Sequence, residues 1–206
     1  MKKILISLIL ICILITPVFA QENTTLDIIR ESAVSIFSTG GGSAGLCSGV
    51  VLKNGLDSSI VLTAKHCIGT FEEVYIENIL VKSIITSADD DLALLIADDY
   101  IRNKKSTKLA LYNPYIGMKV YHLGYPRMTE EYYSKGSIVR KSKDHLYAEM
   151  NIISGCSGGG VWNRKGELVG IAWGGLHFGG IFDSKVLAIF EPISDIYRFL
   201  ETISWQ

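Results

Sequence analysis

Neither sign of charge dominates this sequence: 20 Lys and Arg stand against 21 Asp and Glu in 206 residues, a formal net charge of −1. A nearly neutral chain carries no electrostatic footprint for a polyanion, so nucleic acid is excluded as the expected partner. There is no long internal repeat and no low-complexity tract, and 48% of the residues are hydrophobic. Disorder is thereby set aside, leaving one large domain or two small lobes. Helical periodicity is almost missing. Only Ile193, Ile196, Tyr197, Leu200 and Ile203 recur at helical spacing, behind Pro192, and they predict one C-terminal helix over Ser194 to Ile203. No second globular module, and in particular no peptide-binding domain, is expected after it. Cysteine is scarce, with four in the chain.

The longest apolar run is at the start. Lys2 and Lys3 precede Ile4 to Ile15, and Pro17 and Val18-Phe19-Ala20 lead to polar Gln21. This three-part pattern reads as a secretory signal over 1–20, cleaved after Ala20. The run is short for a bilayer span, which makes a retained anchor the weaker reading. Ile11 before Cys12 is bulky where a lipoprotein signal needs a small residue, so no lipid anchor is expected. The expected product is a secreted or periplasmic protein, monomeric and without stable membrane association. Losing Lys2 and Lys3 moves the net charge from −1 to −3. Cys47, Cys67 and Cys156 remain, and in an exported protein two of them pair and one is odd.

Residues 21–32 read as a polar leader or a possible propeptide. Beyond it, short β-type runs alternate with turn clusters: Ala33 to Phe37, Leu46 to Leu52, Ile60 to Thr63, Val74 to Ile76, Ile79 to Ile85 and Leu92 to Ala97. A charged break, Asp98 to Lys108, is a plausible boundary. The style then repeats from Lys108 through Lys185 to Phe190. Many short strands with regular turn signals predict an all-β sandwich or barrels, with a first lobe over about 33–100 and a second over about 108–203.

One stretch calls for a chemical reason: Asn151-Ile-Ile-Ser-Gly-Cys-Ser-Gly-Gly-Gly-Val-Trp162. Gly155, Gly158, Gly159 and Gly160 let the backbone turn sharply and aim N–H groups at one point. Ser157 stands there, and the Gly155 and Ser157 amides are the pair that would stabilise an oxyanion. An ordinary glycine-rich hairpin explains the stretch taken alone about as well. A serine hydroxyl needs a histidine base and a group that orients it. His66 lies at the end of the apolar run Val61-Leu-Thr-Ala-Lys-His66. Asp91 opens Asp91-Leu-Ala-Leu-Leu95, beside chemically equivalent Asp89 and Asp90, and strand phase favours the residue touching the apolar run. His122 and His145 read as strand and turn residues without catalytic duty.

Thr63-Ala-Lys-His-Cys67, Asp91-Leu-Ala-Leu94 and Gly155-Cys-Ser-Gly-Gly159, in that order, resemble the three signatures of trypsin-like, chymotrypsin-fold serine peptidases, over roughly Ala33 to Ile203. Leu123-Gly-Tyr-Pro126, Ser134-Lys-Gly-Ser137 and Val169-Gly-Ile-Ala-Trp-Gly-Gly175 are similar in style to bacterial exported members, glutamyl endopeptidases especially. The resemblance implies two six-stranded antiparallel β-barrels with the site in the cleft between them. It implies Ser157 as nucleophile, His66 as base, Asp91 as its orienter, Gly155 and Ser157 as oxyanion hole, and a polypeptide substrate with no cofactor and no metal. It places Ala172-Trp173-Gly174 along the substrate backbone and the primary pocket. It also implies a Cys47–Cys67 disulfide beneath the histidine, which leaves Cys156 as the free thiol.

The match has departures. Cys156 stands where digestive members carry an aspartate that bonds a newly cut N-terminus, so an oxyanion loop formed from the outset is expected. Glutamyl endopeptidases carry a histidine where this chain has Ala172; His177 is the substitute candidate, with a solvent-facing role as the alternative. No aspartate occupies the pocket base near Asn151, which argues against a preference for Arg or Lys. Two rival functions remain, a catalytically silent binding protein on the same scaffold and an esterase-like hydrolase with the same triad. The order His, Asp, Ser argues against an α/β-hydrolase.

Overall fold

The structure, a computed structural model, describes residues 24–178 and 185–203; the signal reading over 1–20 lies outside the described residues. A short helix α1 (24–30) leads into β1 (Ala33–Gly40), β2 (Ser43–Asn54) and β3 (Ser59–Ala64). A 3-10 turn, Lys65–Cys67, separates β3 from β4 (Glu73–Ile76), β5 (Ile79–Leu80), β6 (Ser83–Thr86) and β7 (Leu92–Ala97). After β8 (Lys108–Leu109) the second lobe runs through β9 (Lys119–Gly124), β10 (Tyr132–Lys141), β11 (Leu146–Glu149), β12 (Gly160–Trp162), β13 (Glu167–Phe178) and β14 (Lys185–Pro192). The chain ends on α2 (Ile193–Glu201).

The second lobe closes as the resemblance implied. Its order β12-β9-β10-β11-β14-β13 returns on itself through the β12–β13 pairing, a ring of six antiparallel strands with β8 added in parallel outside β13. The first lobe is a curled sheet in the order β5-β4-β1-β2-β3-β7-β6. The apolar run 79–85 bends at Val81-Lys82 into β5 and β6. At that bend Val81 N–H donates to the Val74 carbonyl and Lys82 N–H to the Ile96 carbonyl. One bent run thus serves both edges, β4 and β7, and protects them from further pairing.

Burial on both faces explains why the first-lobe strands lack polar alternation. Every residue of β3 is buried. Because side chains alternate across a strand, Ile60 and Leu62 face the interlobe core while Val61 faces the lobe interior. β7 does the same, with Leu92 and Leu94 toward the interlobe core and Ala93 and Leu95 inward. Each such leucine contributes about 2 kcal/mol by burial. Met118, Ile138, Val161 and Phe190 fill the second ring.

Both ends of the described chain seal the lobe junction. α2 begins one residue before the expected start and presents Ile193, Ile196 and Phe199 to the interlobe core, where Ile203 also packs. α1 was not legible as a helix, because a short polar segment has neither the length nor the periodicity to hold one alone. Tertiary contacts hold it instead. Ile29 is buried in the interlobe core, the Thr25 hydroxyl donates to the Arg164 carbonyl at 2.8 Å, and Arg30 Nε bonds Glu131 at 2.8 Å.

Candidate active site

Strand register brings the acid to the histidine. β3 and β7 are antiparallel with Ala64 opposite Leu92, so the residues just past that pair, Lys65 and Asp91, meet. Lys65 N–H donates to the Asp91 carbonyl at 3.1 Å. One residue on, the 3-10 turn lifts His66 over the Asp91 carboxylate, which accepts from the His66 backbone N–H at 2.8 Å and meets Nδ1 at 2.5 Å. A carboxylate only accepts here, so Nδ1 carries the proton and Nε2 is left as the free base site. The equivalence of Asp89, Asp90 and Asp91 on paper is resolved by this register, and Asp90 is engaged elsewhere, with Arg198.

The serine loop is pinned to the first lobe. Ser48 N–H on β2 donates to the Ser157 carbonyl at 2.8 Å, and the Ser48 hydroxyl donates to the Gly155 carbonyl at 2.9 Å while accepting from Tyr125 N–H at 2.8 Å. Thr63 Oγ1 in turn donates to the Ser48 carbonyl at 2.8 Å. Ser48 is a site residue that the motif pattern did not flag; its position beside Cys47 was the only signal. On the other side Gly158 N–H donates to the Ala172 carbonyl at 2.7 Å. A Cβ at Gly158, which has φ +79°, would run into Thr63 Oγ1 and the Ser48 carbonyl. At Gly155, with φ +89°, a Cβ would lie 2.6 Å from Pro126 Cα. Among the described residues the Gly155 and Ser157 amides donate to no protein acceptor, which leaves both available to a developing negative charge. The Ser157 hydroxyl donates to the Trp173 carbonyl at 3.3 Å. No bond between it and His66 is made among the described residues.

Trp173 owes its position to a bulge. The β13–β14 ladder pairs Ala172 with Phe190 and Gly174 with Ile189, so Trp173 is the extra residue. A bulge turns its side chain out of the ladder, 41% exposed and with its ring 6.4 Å from that of His66. Ala172 is buried, whereas a Cβ at Gly174 would meet nothing within 4 Å. Asn151 is exposed and its carbonyl accepts from the Ser134 hydroxyl at 2.6 Å. The next residue, Ile152, is buried, with Cγ2 2.7 Å from where a Gly175 Cβ would stand. His177 is exposed on β13 opposite Val186, and among the described residues no hydrogen bond or ring contact ties it to Ser157 or Trp173. His145 is drawn in instead, its ring 5.8 Å from that of Trp173.

Cys47 and Cys67 form a disulfide, and Cys156 is free and buried. Burial pushes the Cys156 thiol up to about 11, so it is a neutral packing group rather than a nucleophile. His122 is buried under the serine loop. Its Nδ1 donates to the Gly160 carbonyl at 2.8 Å, Nε2 has no partner among the described residues, and burial lowers it to about 4.

A family model described as the trypsin-like peptidase domain matches residues 47–171. The chain belongs to that family. Its fold is similar to the serine endoprotease from Yersinia pestis, with 23% identity over 86% of this chain and 65% of that one and a TM-score of 0.69. It is also similar to the active form of the Rv3671c protease from M. tuberculosis, with 18% identity, coverage of 89% and 85%, and a TM-score of 0.71. At these identities the likeness is one of fold. A comparison with curated proteins finds no match.

Proposed function

We propose that the chain is an exported serine endopeptidase that cleaves polypeptides through an acyl-enzyme. The observation that carries this reading is the double grip of Asp91 on His66, which leaves Nε2 as a base, while the Ser157 hydroxyl is held on the carbonyl of Trp173, whose ring stands 6.4 Å from that of His66. In this scheme the Ser157 hydroxyl leaves the Trp173 carbonyl for Nε2, and as it attacks the substrate carbonyl the proton passes to His66. Asp91 stabilises the resulting imidazolium. The Gly155 and Ser157 amides receive the oxyanion, a contribution typically of about 3 kcal/mol per donor. His66 then protonates the leaving amine, and water repeats the sequence to release the acid. The Cys47–Cys67 bridge supports an oxidising compartment, secreted or periplasmic.

Substrate backbone runs along Trp173 and Gly174, where space is open. We take buried Ile152, beside Gly175, as the apolar wall of a shallow primary pocket. This favours a small apolar side chain before the cut, with Asn151 at the rim and His177 outside. Treatment of residues 21–206 with a fluorophosphonate tests the reading: one adduct per chain on Ser157, absent in Ser157→Ala, is expected, and an unlabelled folded wild type overturns it.

A further inference from the structure

Glu191 is the single acid of β14, in the run Lys-Val-Leu-Ala-Ile-Phe-Glu-Pro, and it is 4% exposed. A carboxylate buried to that degree persists only where donors hold it. The nearby backbone N–H of Asp91 favours its charged form. Another group is His145, whose Nε2 lies 3.3 Å from Glu191 Oε1. The titratable and charged groups around it come from three elements: Asp90 and Asp91 before β7, His145 in the β10–β11 turn, and Asp195 and Arg198 on α2. The Asp90, Glu191 and Asp195 oxygens lie within 4.8 Å of one another. Arg198 accounts for two of them, bonding Asp90 at 2.5 Å and Asp195 at 3.1 Å, and makes no bond to Glu191 among the described residues. Glu191 is therefore not part of the α2 ion pair. Its contacts point toward the catalytic groups.

Those contacts join the lobes at the site. The Asp91 amide belongs to the residue that grips His66. His145 stands edge-on to Trp173 at 5.8 Å, and Trp173 stands edge-on to His66 at 6.4 Å while its carbonyl accepts the Ser157 hydroxyl. We propose that Glu191 is a positioning residue of the catalytic site. Its carboxyl group holds the Asp91 amide and, through His145, the bulged Trp173, and so sets the first-lobe acid against the second-lobe strand beside the nucleophile. The inference rests on the serine-peptidase reading above. It assigns a catalytic support to β14, an element that carries none of the three motif residues.

The same surroundings make the support sensitive to pH. Burial first, then the neighbouring Asp195, Asp90 and Asp91 carboxylates, push Glu191 up to about 7. The group behind Asp91 thus changes charge across neutrality, and activity acquires an ionisation that the triad alone does not supply. Rates of fluorophosphonate labelling of residues 21–206 from pH 5 to 9 test this, using wild type, Glu191→Leu and Glu191→Gln, with thermal melts to establish the folded fraction. Glu191→Leu removes the carboxyl group from behind Asp91 and from His145, and is expected to label about tenfold more slowly while folded. Glu191→Gln restores the acceptor oxygen, and labels at pH 8 within about threefold of wild type. Its pH profile is expected to lack the ionisation near the value of about 7 assigned to Glu191. If Glu191→Leu does not fold, the Glu191→Gln profile alone decides. A folded Glu191→Leu labelled at the wild-type rate, or a Glu191→Gln profile identical to wild type, overturns the proposal and leaves the peptidase reading standing. A folded wild type that takes no label removes both.

Discussion

Asp91 grips His66 by two atoms at once, Oδ1 on the backbone N–H at 2.8 Å and Oδ2 on the ring Nδ1 at 2.5 Å. Two acceptors on one side chain fix both the turn that carries the ring and the tautomer of the ring.

Asp91→Asn keeps the shape and loses one acceptor. The amide NH2 then faces either the backbone N–H or Nδ1, and the second arrangement moves the ring proton to Nε2, where it blocks proton transfer from Ser157. The turnover number at pH 7 is expected to fall by about 10³–10⁴ with little change in KM. Steady-state kinetics on a peptide substrate check this. A fall of less than tenfold contradicts the role of Asp91.

The Cys47–Cys67 bridge closes a loop with a sequence separation of 20 and ends one residue from His66. Its reduction is expected to remove roughly 3 kcal/mol of stability on the chain-entropy account, read as a lower denaturant midpoint in the presence of dithiothreitol. Buried Cys156 is expected to ignore a thiol reagent in the folded, non-reduced protein and to react after unfolding. A fast-reacting native thiol contradicts this assignment.

Two buried groups act oppositely on stability in acid. His122 is held near 4 when folded, below its usual 6.5. The unfolded chain therefore binds the extra proton, and stability falls by about 3 kcal/mol as pH drops from 6.5 to 4. Glu191 is held near 7, above its usual 4.5. The folded chain binds that proton, and stability rises by about 3 kcal/mol as pH drops from 7 to 4.5. The two nearly cancel in the wild type. Glu191→Gln removes the compensation, so its melting temperature is expected to fall more steeply than wild type between pH 7 and pH 4. Parallel curves contradict the pair of assignments.

On the proposed reading Ile152, close to Gly175, sets the depth of the primary pocket. Ile152→Ala is expected to shift the preferred residue before the cut from small apolar toward larger apolar side chains, scored on a peptide library. Truncation of a buried isoleucine costs about 2–5 kcal/mol, so the comparison is made at a temperature where both proteins are folded.

The parts of this site that were legible in the sequence are those whose chemistry is local. His66, Asp91 and Ser157 each sit in a short segment whose flanking residues announce it, and strand phase selected Asp91 over its neighbours for the reason the Ala64–Leu92 register displays. Turn spacing pointed to a sandwich or barrels and one apolar stripe to the helix at the end, while the ring of six strands in the second lobe was implied by the family resemblance. What stayed hidden depends on distant elements meeting. Glu191 reads as the residue after the last strand-type run until β14, which includes it, closes against the loop before β7. Ser48 reads as a residue after a cysteine until its amide meets the Ser157 carbonyl. His177 reads as a pocket candidate or a solvent-facing residue and His145 as a turn residue, whereas the ladder carries His177 along β13 opposite Val186 and the β10–β11 turn brings His145 close to Trp173. A lone acid at the end of an apolar run was the one available signal for Glu191.

The most direct test of the account incubates purified residues 21–206 and the Ser157→Ala variant with a random peptide library and identifies new termini by mass spectrometry. Cleavage at internal bonds by the wild type, with small apolar residues before the cut and none by Ser157→Ala, is the expected result. Equal cleavage by both proteins, or none by a folded wild type, contradicts it.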